Sequence, residues 1–459
     1  MHPNITVILV DGARVVVPDK LDLITPYVLQ EQQDWFEDEI KFLRRLLRPG
    51  QHVIDIGANY GVYALSMARA VGPAGRVWAF EPASATADLL AAGIAANGFG
   101  HVSLERSALS SASGSAHLAL HSDPEMNALV RGAQPGGLTE SVPVTTLDEC
   151  LESRGWRDIE FVKIDAEGEE GAILEGGARF FARESPLVQY EVKAGRDLHL
   201  ELVAAFSALG YASYRLVPGL DLLVPFDAGA PPDGFLLNLF CCKPDRAARL
   251  AAAGYLVEAG SRAGKLDGAR DWRGALARLP YAAQLAASWE LTAAAGKSRA
   301  VEEALSLYAA SRETSRPAAE RFAALEAGYT GLSQLCAAEP AYLRLFSLAR
   351  AARDYGARWV AAKALAQVGA SLQRGAADAG EPFLAPGQRF DSVPPRDALE
   401  NWMLAATLEE YERAGSYSSF YTGLAARQRL ELIRKLGYGS AEMQRRLSLL
   451  QRRFGLPVS

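Results

Sequence analysis

Apolar residues fall into two textures along this chain. Up to about residue 243 they come as short β-branched runs separated by stretches with helical spacing. HVIDI (52–56), RVWAF (76–80), HVSLE (101–105), IEFVKI (159–164) and LVQYEV (187–192) each read as a buried strand. YALSMARA (63–70), TADLLAAGIAAN (86–97) and EEGAILEGGARFF (169–181) between them have the apolar spacing of helices. Strand and helix in alternation predict an α/β fold with a parallel sheet covered on both faces. YASYRL (211–216) and FLLNLFCC (235–242) follow with little helical sequence between them, which predicts a closing hairpin with one strand antiparallel to the rest.

Ahead of this core, ITVILVDGARVVV places two apolar runs around Asp11-Gly12, a hairpin signal. Glu31 to Arg48 reads as one amphipathic helix stopped by Pro49-Gly50. From about Asp245 the β-branched runs vanish and alanine, leucine, arginine and glutamate dominate, which predicts helix throughout. Residues 382–397 form a proline-rich break, expected as an ordered loop packed across helices. The expected organisation is therefore a hairpin and helix (1–50), an α/β domain (51–244) and an all-α accessory domain (245–459).

Composition narrows the function classes. The chain has 459 residues, of which 49% are hydrophobic and 22% charged, the balance of a folded globular protein. Charges interrupt every apolar run before the roughly 20 residues of a membrane span, so no transmembrane segment is expected. A net charge of −6 argues against nucleic acid as the main partner. Cys150, Cys241, Cys242 and Cys336 lack metal-ligand spacing, and the amino terminus lacks the features of a secretory signal. A reducing, cytoplasmic location is expected.

The chemistry concentrates at strand ends. Asp55-Ile56-Gly57-Ala58-Asn59-Tyr60-Gly61 closes the first strand with an acid, a glycine turn and the start of a helix. Asn59 stands where a dinucleotide fingerprint needs its second glycine, which disfavours a pyrophosphate ligand and a nicotinamide enzyme. Asp55 suits a cationic ammonium group, and Gly57 and Gly61 let the backbone bend around a ligand. Glu81, in Phe80-Glu81-Pro82 at the end of the second strand, is placed to accept hydrogen bonds from a ribose diol. The alternative is that Asp55 caps a helix and Glu81 is a solvated strand end.

These residues carry a resemblance. DIGANYG (55–61), FEP (80–82), Arg106-Ser107-Ala108-Leu109-Ser110 and Val162-Lys163-Ile164-Asp165-Ala166-Glu167-Gly168-Glu169-Glu170 resemble the FkbM family of S-adenosylmethionine-dependent methyltransferases over roughly residues 30–195. The resemblance implies a Rossmann-like class I methyltransferase sheet with S-adenosylmethionine as cofactor. Carried over, Asp55, Gly57, Ala58, Asn59 and Gly61 surround the methionine half, Glu81 and Pro82 lie at the ribose, and Ser107 and Ala108 lie near the adenine. Such enzymes often carry Asp or Asn where Ser107 stands. The family implies O-methylation of hydroxyls on sugars, glycans or complex natural products.

Methyl transfer to an alcohol needs alignment and a base. Asp165 and Glu167 end the fourth strand and Glu191 the fifth, so the three can converge beside the transferred methyl group. Asp165 is the first choice for base or substrate orienter, and it also borders the cofactor; Glu167 is second. The alternatives are a helix cap for Asp165 and a first-turn charge for Glu167. Glu169 and Glu170 read as solvated helix-start charges. The same three acids could hold Mg²⁺ or Ca²⁺, and no His or Cys spacing supports zinc. His121, in an insertion (117–127) expected as a substrate lid, is an alternative base. Asn127 is placed to orient a polar substrate group, and His52 and His101 read as structural. The competing function is a non-catalytic cofactor-binding scaffold whose helical domain recruits a protein partner or a second copy.

Overall fold

The computed structural model describes residues 3–130, 137–194, 197–260, 271–372, 380–396 and 398–457. These divide into two compact units: 1–216 with 223–232 and 236–253, and 217–222 with 233–235 and 254–459.

In the first unit, β1 (Asn4–Ile8) and β2 (Arg14–Pro18) form the antiparallel hairpin around Asp11-Gly12. Helices α1 (Ile24–Gln32) and α2 (Asp38–Leu46) follow. The central sheet then builds outward through β3 (His52–Ile56), α3 (Val62–Val71), β4 (Arg76–Phe80), α4 (Ser84–Asn97) and β5 (Val102–Glu105). A second sheet of β6 (Ala108–Leu109), β7 (Gly114–Ala119), β8 (Ala128–Leu129) and β9 (Thr139–Thr145) has the order β6-β9-β7-β8. After α5 (Leu147–Ser153) the chain returns through β10 (Ile159–Ile164), α6 (Glu170–Glu175), α7 (Ala178–Glu184) and β11 (Leu187–Glu191). A short ribbon of β12 (Lys193–Ala194) and β13 (Asp197–Leu198), then α8 (Glu201–Ala208), leads to β14 (Ala212–Val217), β15 (Leu222–Pro225) and β16 (Asn238–Cys242). The central sheet has the order β15-β14-β16-β11-β10-β3-β4-β5, with β16 antiparallel to both neighbours and β11, β10, β3, β4 and β5 paired in parallel.

Two consequences position the site. Strand order reverses between β3 and β10, so the crevice of an open α/β sheet lies at their carboxyl ends. The pairings Lys163↔Asp55 and Ile164↔Ile56 bring those ends level. The core beneath is aromatic: Trp156, 1% exposed, meets Trp78, Phe80 and Phe180 edge-on at ring separations of 5.4, 6.2 and 5.7 Å.

In the second unit, long helices include Arg299–Ser311, Ala318–Ala338, Tyr342–Tyr355, Arg358–Leu372 and Leu399–Ala414, and neighbours in sequence pack as neighbours in space. The proline-rich stretch is described up to residue 396; residue 397 lies outside the described residues. It buries Phe383 and Phe390, and the Tyr281 hydroxyl donates to Phe383 O and accepts from Ala385 N–H, both at 3.0 Å. Trp289 and Trp402 are core residues, whereas Trp359 is 60% exposed. Among the described residues no helix is long and apolar enough to cross a membrane.

Several expectations are corrected. The helix expected over 31–48 is two helices, because Gln33 takes a left-handed φ of 57° and its carbonyl accepts from Val10 N–H at 2.9 Å, while Asp34 turns both oxygens to Arg44. The helix expected over 169–181 breaks at Gly176-Gly177, where a Cβ on Gly176 would stand 2.2 Å from Ser110 O. The expected closing hairpin carries an additional strand, β15. The α/β unit also takes in the helix Pro244–Ala252, where Arg246 pairs with Glu160 and donates to Ser185 O at 3.1 Å.

Candidate functional site

The turn after β3 is tied to the end of β4 by its backbone. Gly57 and Ala58 N–H groups both donate to Phe80 O, at 3.1 and 2.9 Å. Gly57, Asn59 and Gly61 take left-handed φ values of 78°, 49° and 86°. Asn59 tolerates this with its own Oδ1 accepting Tyr60 N–H at 2.7 Å. The reason for the two glycines differs from the expectation. A Cβ on Gly57 would strike Asp165 O at 1.7 Å, and one on Gly61 would strike Leu90 Cδ1 at 2.3 Å. What the glycines admit is neighbouring protein: Gly57 lets the ends of β3 and β10 touch.

Glu81 is buried at the head of this turn. Its Oε2 accepts Asn59 N–H and its Oε1 accepts Ala83 N–H, both at 2.9 Å, which fixes the carboxylate and leaves a second lone pair on each oxygen. Burial pushes its pKa up to about 7 against those two bonds. Asp55 is wholly buried, and neither of its oxygens meets a donor in hydrogen-bond geometry. Burial raises it to about 6, with the Lys163 ammonium and the backbone N–H of Ala64 opposing and Asp165 adding. A sealed carboxylate with no well-formed hydrogen bond is costly unless a ligand supplies one. Asp55 and Glu81 together fit a ligand with an ammonium group and a ribose diol. Beside them Ala108 is buried in β6, Ser107 and Pro82 are half-buried, and Ala58 is buried.

Lys163 organises the other half of the site, and sequence reasoning did not single it out. It lies one alternation before Asp165 on the same strand face, in register with Asp55. The buried ammonium donates to Asp165 Oδ2 at 2.6 Å and sits 4.8 Å from the centre of the Tyr63 ring. Burial alone would lower its pKa; the attraction of Asp165, Asp55 and Glu37 outweighs this and holds it above the ordinary lysine range. Tyr63 donates to Glu37 and accepts from Gln189 Nε2 at 3.2 Å. A lysine two residues before an acid at the end of a mostly apolar strand was the available signal, since period two puts both on one face.

Asp165, Glu167 and Glu191 converge. Each has a carboxylate oxygen within 4.8 Å of the other two. Glu167 takes a left-handed φ of 49°, strained for a non-glycine residue and characteristic of functional turns. Burial, and then repulsion from Asp165 and Glu170, raise Glu167 to about 7. Burial, then Asp165 and Glu167, raise Glu191 to about 10, so at neutral pH it keeps its proton and bonds to Asp165. The insertion contributes Glu125, also missed from the sequence. Its carboxyl is pushed well up by burial and by Asp123, Asp165 and Glu167.

Other expected residues lie elsewhere or act otherwise. His121 is exposed, and its backbone N–H is held by Asn127 Oδ1 at 2.8 Å, so that oxygen closes the loop rather than facing a substrate. The insertion is part of a sheet, with His117 on β7. His52 and His101 sit within hydrogen-bond distance of Arg157 O and Ala68 O, at 3.0 and 2.9 Å. Glu169 and Glu170 are corrected: both are buried, Glu169 accepting from Ser110 Oγ at 2.7 Å and Glu170 Oε1 from Ala166 N–H at 2.9 Å, so they brace the turn that carries Glu167. Ser110→Ala should lower folding stability by about 1–3 kcal/mol, read from urea unfolding, because it removes the hydroxyl that donates to the buried Glu169.

Comparison with known proteins bears on these elements. No curated protein matches the chain. Among solved structures, the chain is similar to methyltransferase FkbM from Methylobacillus flagellatus KT, at 15% identity and a TM-score of 0.29, over 48% of this chain and 56% of that one. It is similar to a SAM-dependent O-methyltransferase from Thermotoga maritima at 14% identity, TM-score 0.27, over 50% and 72% of the two chains. It is also similar to an O-methyltransferase from Bacillus cereus, solved in complex with SAH, at 14% identity, TM-score 0.27, over 45% and 80%. Residues 55–213 match the family model described as Methyltransferase FkbM domain, a span that runs from the orphaned Asp55 through the whole acid cluster. The chain thus contains a methyltransferase domain of the FkbM family.

Proposed function

We propose that this protein transfers a methyl group from S-adenosylmethionine to a hydroxyl of a sugar, glycan or complex natural product. The observation that carries the reading is Asp55: a fully buried carboxylate whose oxygens complete no well-formed hydrogen bond, at the switch point of the sheet and one strand from Asp165. When bound, the cofactor supplies an electrophilic methyl group on a sulfonium. Asp55 then receives the ammonium of the methionine half, and Glu81 receives the ribose hydroxyls on its two spare lone pairs. The Gly57–Gly61 turn walls the cofactor, with Ser107 and Ala108 toward its adenine. Lys163 occupies Asp165 Oδ2 and so aims Oδ1 at the acceptor hydroxyl, whose proton Asp165 takes as the oxygen attacks. Glu167 stands next to it as the second acceptor of that proton, and Glu191, hydrogen-bonded to Asp165, helps fix its orientation.

The test is a titration of the full chain with S-adenosylmethionine, followed by transfer of labelled methyl to a panel of sugars and lipid-linked glycans. Glu81→Ala should weaken cofactor binding by about tenfold or more, the effect of losing a charged acceptor. Unchanged affinity in the folded variant would remove Glu81 from the ribose. The sign of the pH dependence follows from the same residue. Its pKa is raised to about 7, so the ionised acceptor is present above that value and lost below it. Cofactor affinity should therefore fall as pH drops through 7, by up to about tenfold per unit, and Glu81→Gln should flatten the profile.

A further inference from the structure

Two buried amides on β11 and β16 take no part in the chemistry described so far, and strand register fixes where they stand. Ile164 pairs with Tyr190, so Asp165 lies level with Glu191, and Glu191 pairs directly with Asn238. Paired residues share a face, which puts Asp165, Glu191 and Asn238 in one row across the end of the sheet. One alternation below, on the same face, Asp55, Lys163 and Gln189 form the next row. Gln189 pairs with Phe240, so Asn238 is its diagonal neighbour, within reach of a long side chain.

Asn238 is 4% exposed and Gln189 is fully buried. Asn238 Nδ2 meets no acceptor and Gln189 Oε1 no donor, so the two do not bond each other. Tyr63 fixes which end of the Gln189 amide is idle: its hydroxyl donates to Glu37 and therefore accepts from Gln189 Nε2, at 3.2 Å, which leaves Oε1 over. Buried polar atoms without partners are costly, and in a native fold they call for a group that the protein itself does not supply. A lone donor beside a lone acceptor is served by a group that both accepts and donates, which a hydroxyl does and an ammonium or a carboxylate does not.

We propose that Asn238 Nδ2 and Gln189 Oε1 hold a second hydroxyl of the methyl acceptor and so select polyhydroxylated rings over lone alcohols. The proposal rests on the methyl-transfer reading above, in which the reacting hydroxyl lies at Asp165. Asn238 stands two strands from Asp165, about 10 Å between backbones at the usual strand spacing. A ring with hydroxyls on opposite sides fills such a gap, one hydroxyl at each end of the row and Glu191 beneath it.

The experiment uses the full chain loaded with S-adenosylhomocysteine. Methyl α-glucoside, α-galactoside, α-mannoside and α-rhamnoside are the ring probes and cyclohexanol is the lone alcohol, with binding read by saturation-transfer NMR. The wild type should bind at least one pyranoside about tenfold or more tightly than cyclohexanol. Asn238→Leu, close in size but without a donor, should erase most of that preference while leaving cofactor affinity unchanged, with thermal melting as the control for folding. A wild type that prefers no pyranoside to cyclohexanol overturns the proposal without recourse to any variant. A preference that Asn238→Leu retains overturns it as well, the result expected if the two amides merely enclose a water molecule. Methyl transfer to an acceptor with a single hydroxyl, in either of those cases, leaves the methyltransferase reading standing. Pyranoside binding that depends on Asn238, in a chain that binds no S-adenosylmethionine, does the reverse.

Discussion

Gly57→Ala should cost about 3 kcal/mol or more of folding stability, and the folded remainder should bind cofactor poorly. Two independent penalties act at this position. The φ of 78° is left-handed, worth about 1–2 kcal/mol against any residue with a Cβ. The added carbon would also lie 1.7 Å from Asp165 O, a backbone atom that cannot swing aside as a side chain would. Relief requires the ends of β3 and β10 to part, which moves Asp165 and Glu167 away from Asp55. Urea unfolding and a cofactor titration measure the two effects, and a variant that melts like the wild type contradicts this account of the turn. Gly168→Ala is the informative comparison. It shares a left-handed φ of 94° but has no atom within 4 Å of its Cβ, so only the backbone penalty should appear.

Asp165→Asn should slow methyl transfer by about 10²-fold or more, the usual contribution of a positioned general base. Asparagine keeps the size and accepts a hydrogen bond from Lys163, so the fold should hold. The freed positive charge of Lys163 then falls on Asp55 and Glu37, its other two partners. A Lys163 drawn toward Asp55 competes with the cofactor ammonium, so cofactor affinity should drop only a few-fold, far less than the rate. Single-turnover transfer of labelled methyl separates the two quantities. A near-normal rate would move the proton to Glu167.

The parallel strands were legible because a strand covered on both faces reads as a mostly apolar, β-branched run, as in HVIDI and IEFVKI. The hairpin was legible from Asp11-Gly12. The acids of the candidate site were legible where they stand at strand ends: Asp55, Glu81, Asp165 and Glu191 all occupy such places. What was hidden depended on partners remote in sequence. Glu169 looked like a solvated first-turn charge because its partner, Ser110, lies 59 residues earlier. Glu37 joins the site through Tyr63, 26 residues on, and through the charge of Lys163, far along the chain. The break between α1 and α2 depends on Val10, whose N–H meets the carbonyl of Gln33. The positional role of Gly57 was legible but its reason was not, since the atom it avoids belongs to a loop a hundred residues later.

The insertion is fastened at a point that matters for anyone redesigning acceptor preference. Asp123 Oδ2 accepts Ile24 N–H at 3.1 Å, and Glu125 draws on Thr25 N–H, so the first amides of α1, which have no partner within the helix, are closed by carboxylates from the insertion. Residues 120–127 are therefore not a freely exchangeable module. A chimera that grafts this segment from a relative must bring the matching turn at 23–26 with it. Otherwise the transplanted loop loses its anchor, and Glu125 loses the place from which it acts on Asp165 and Glu167.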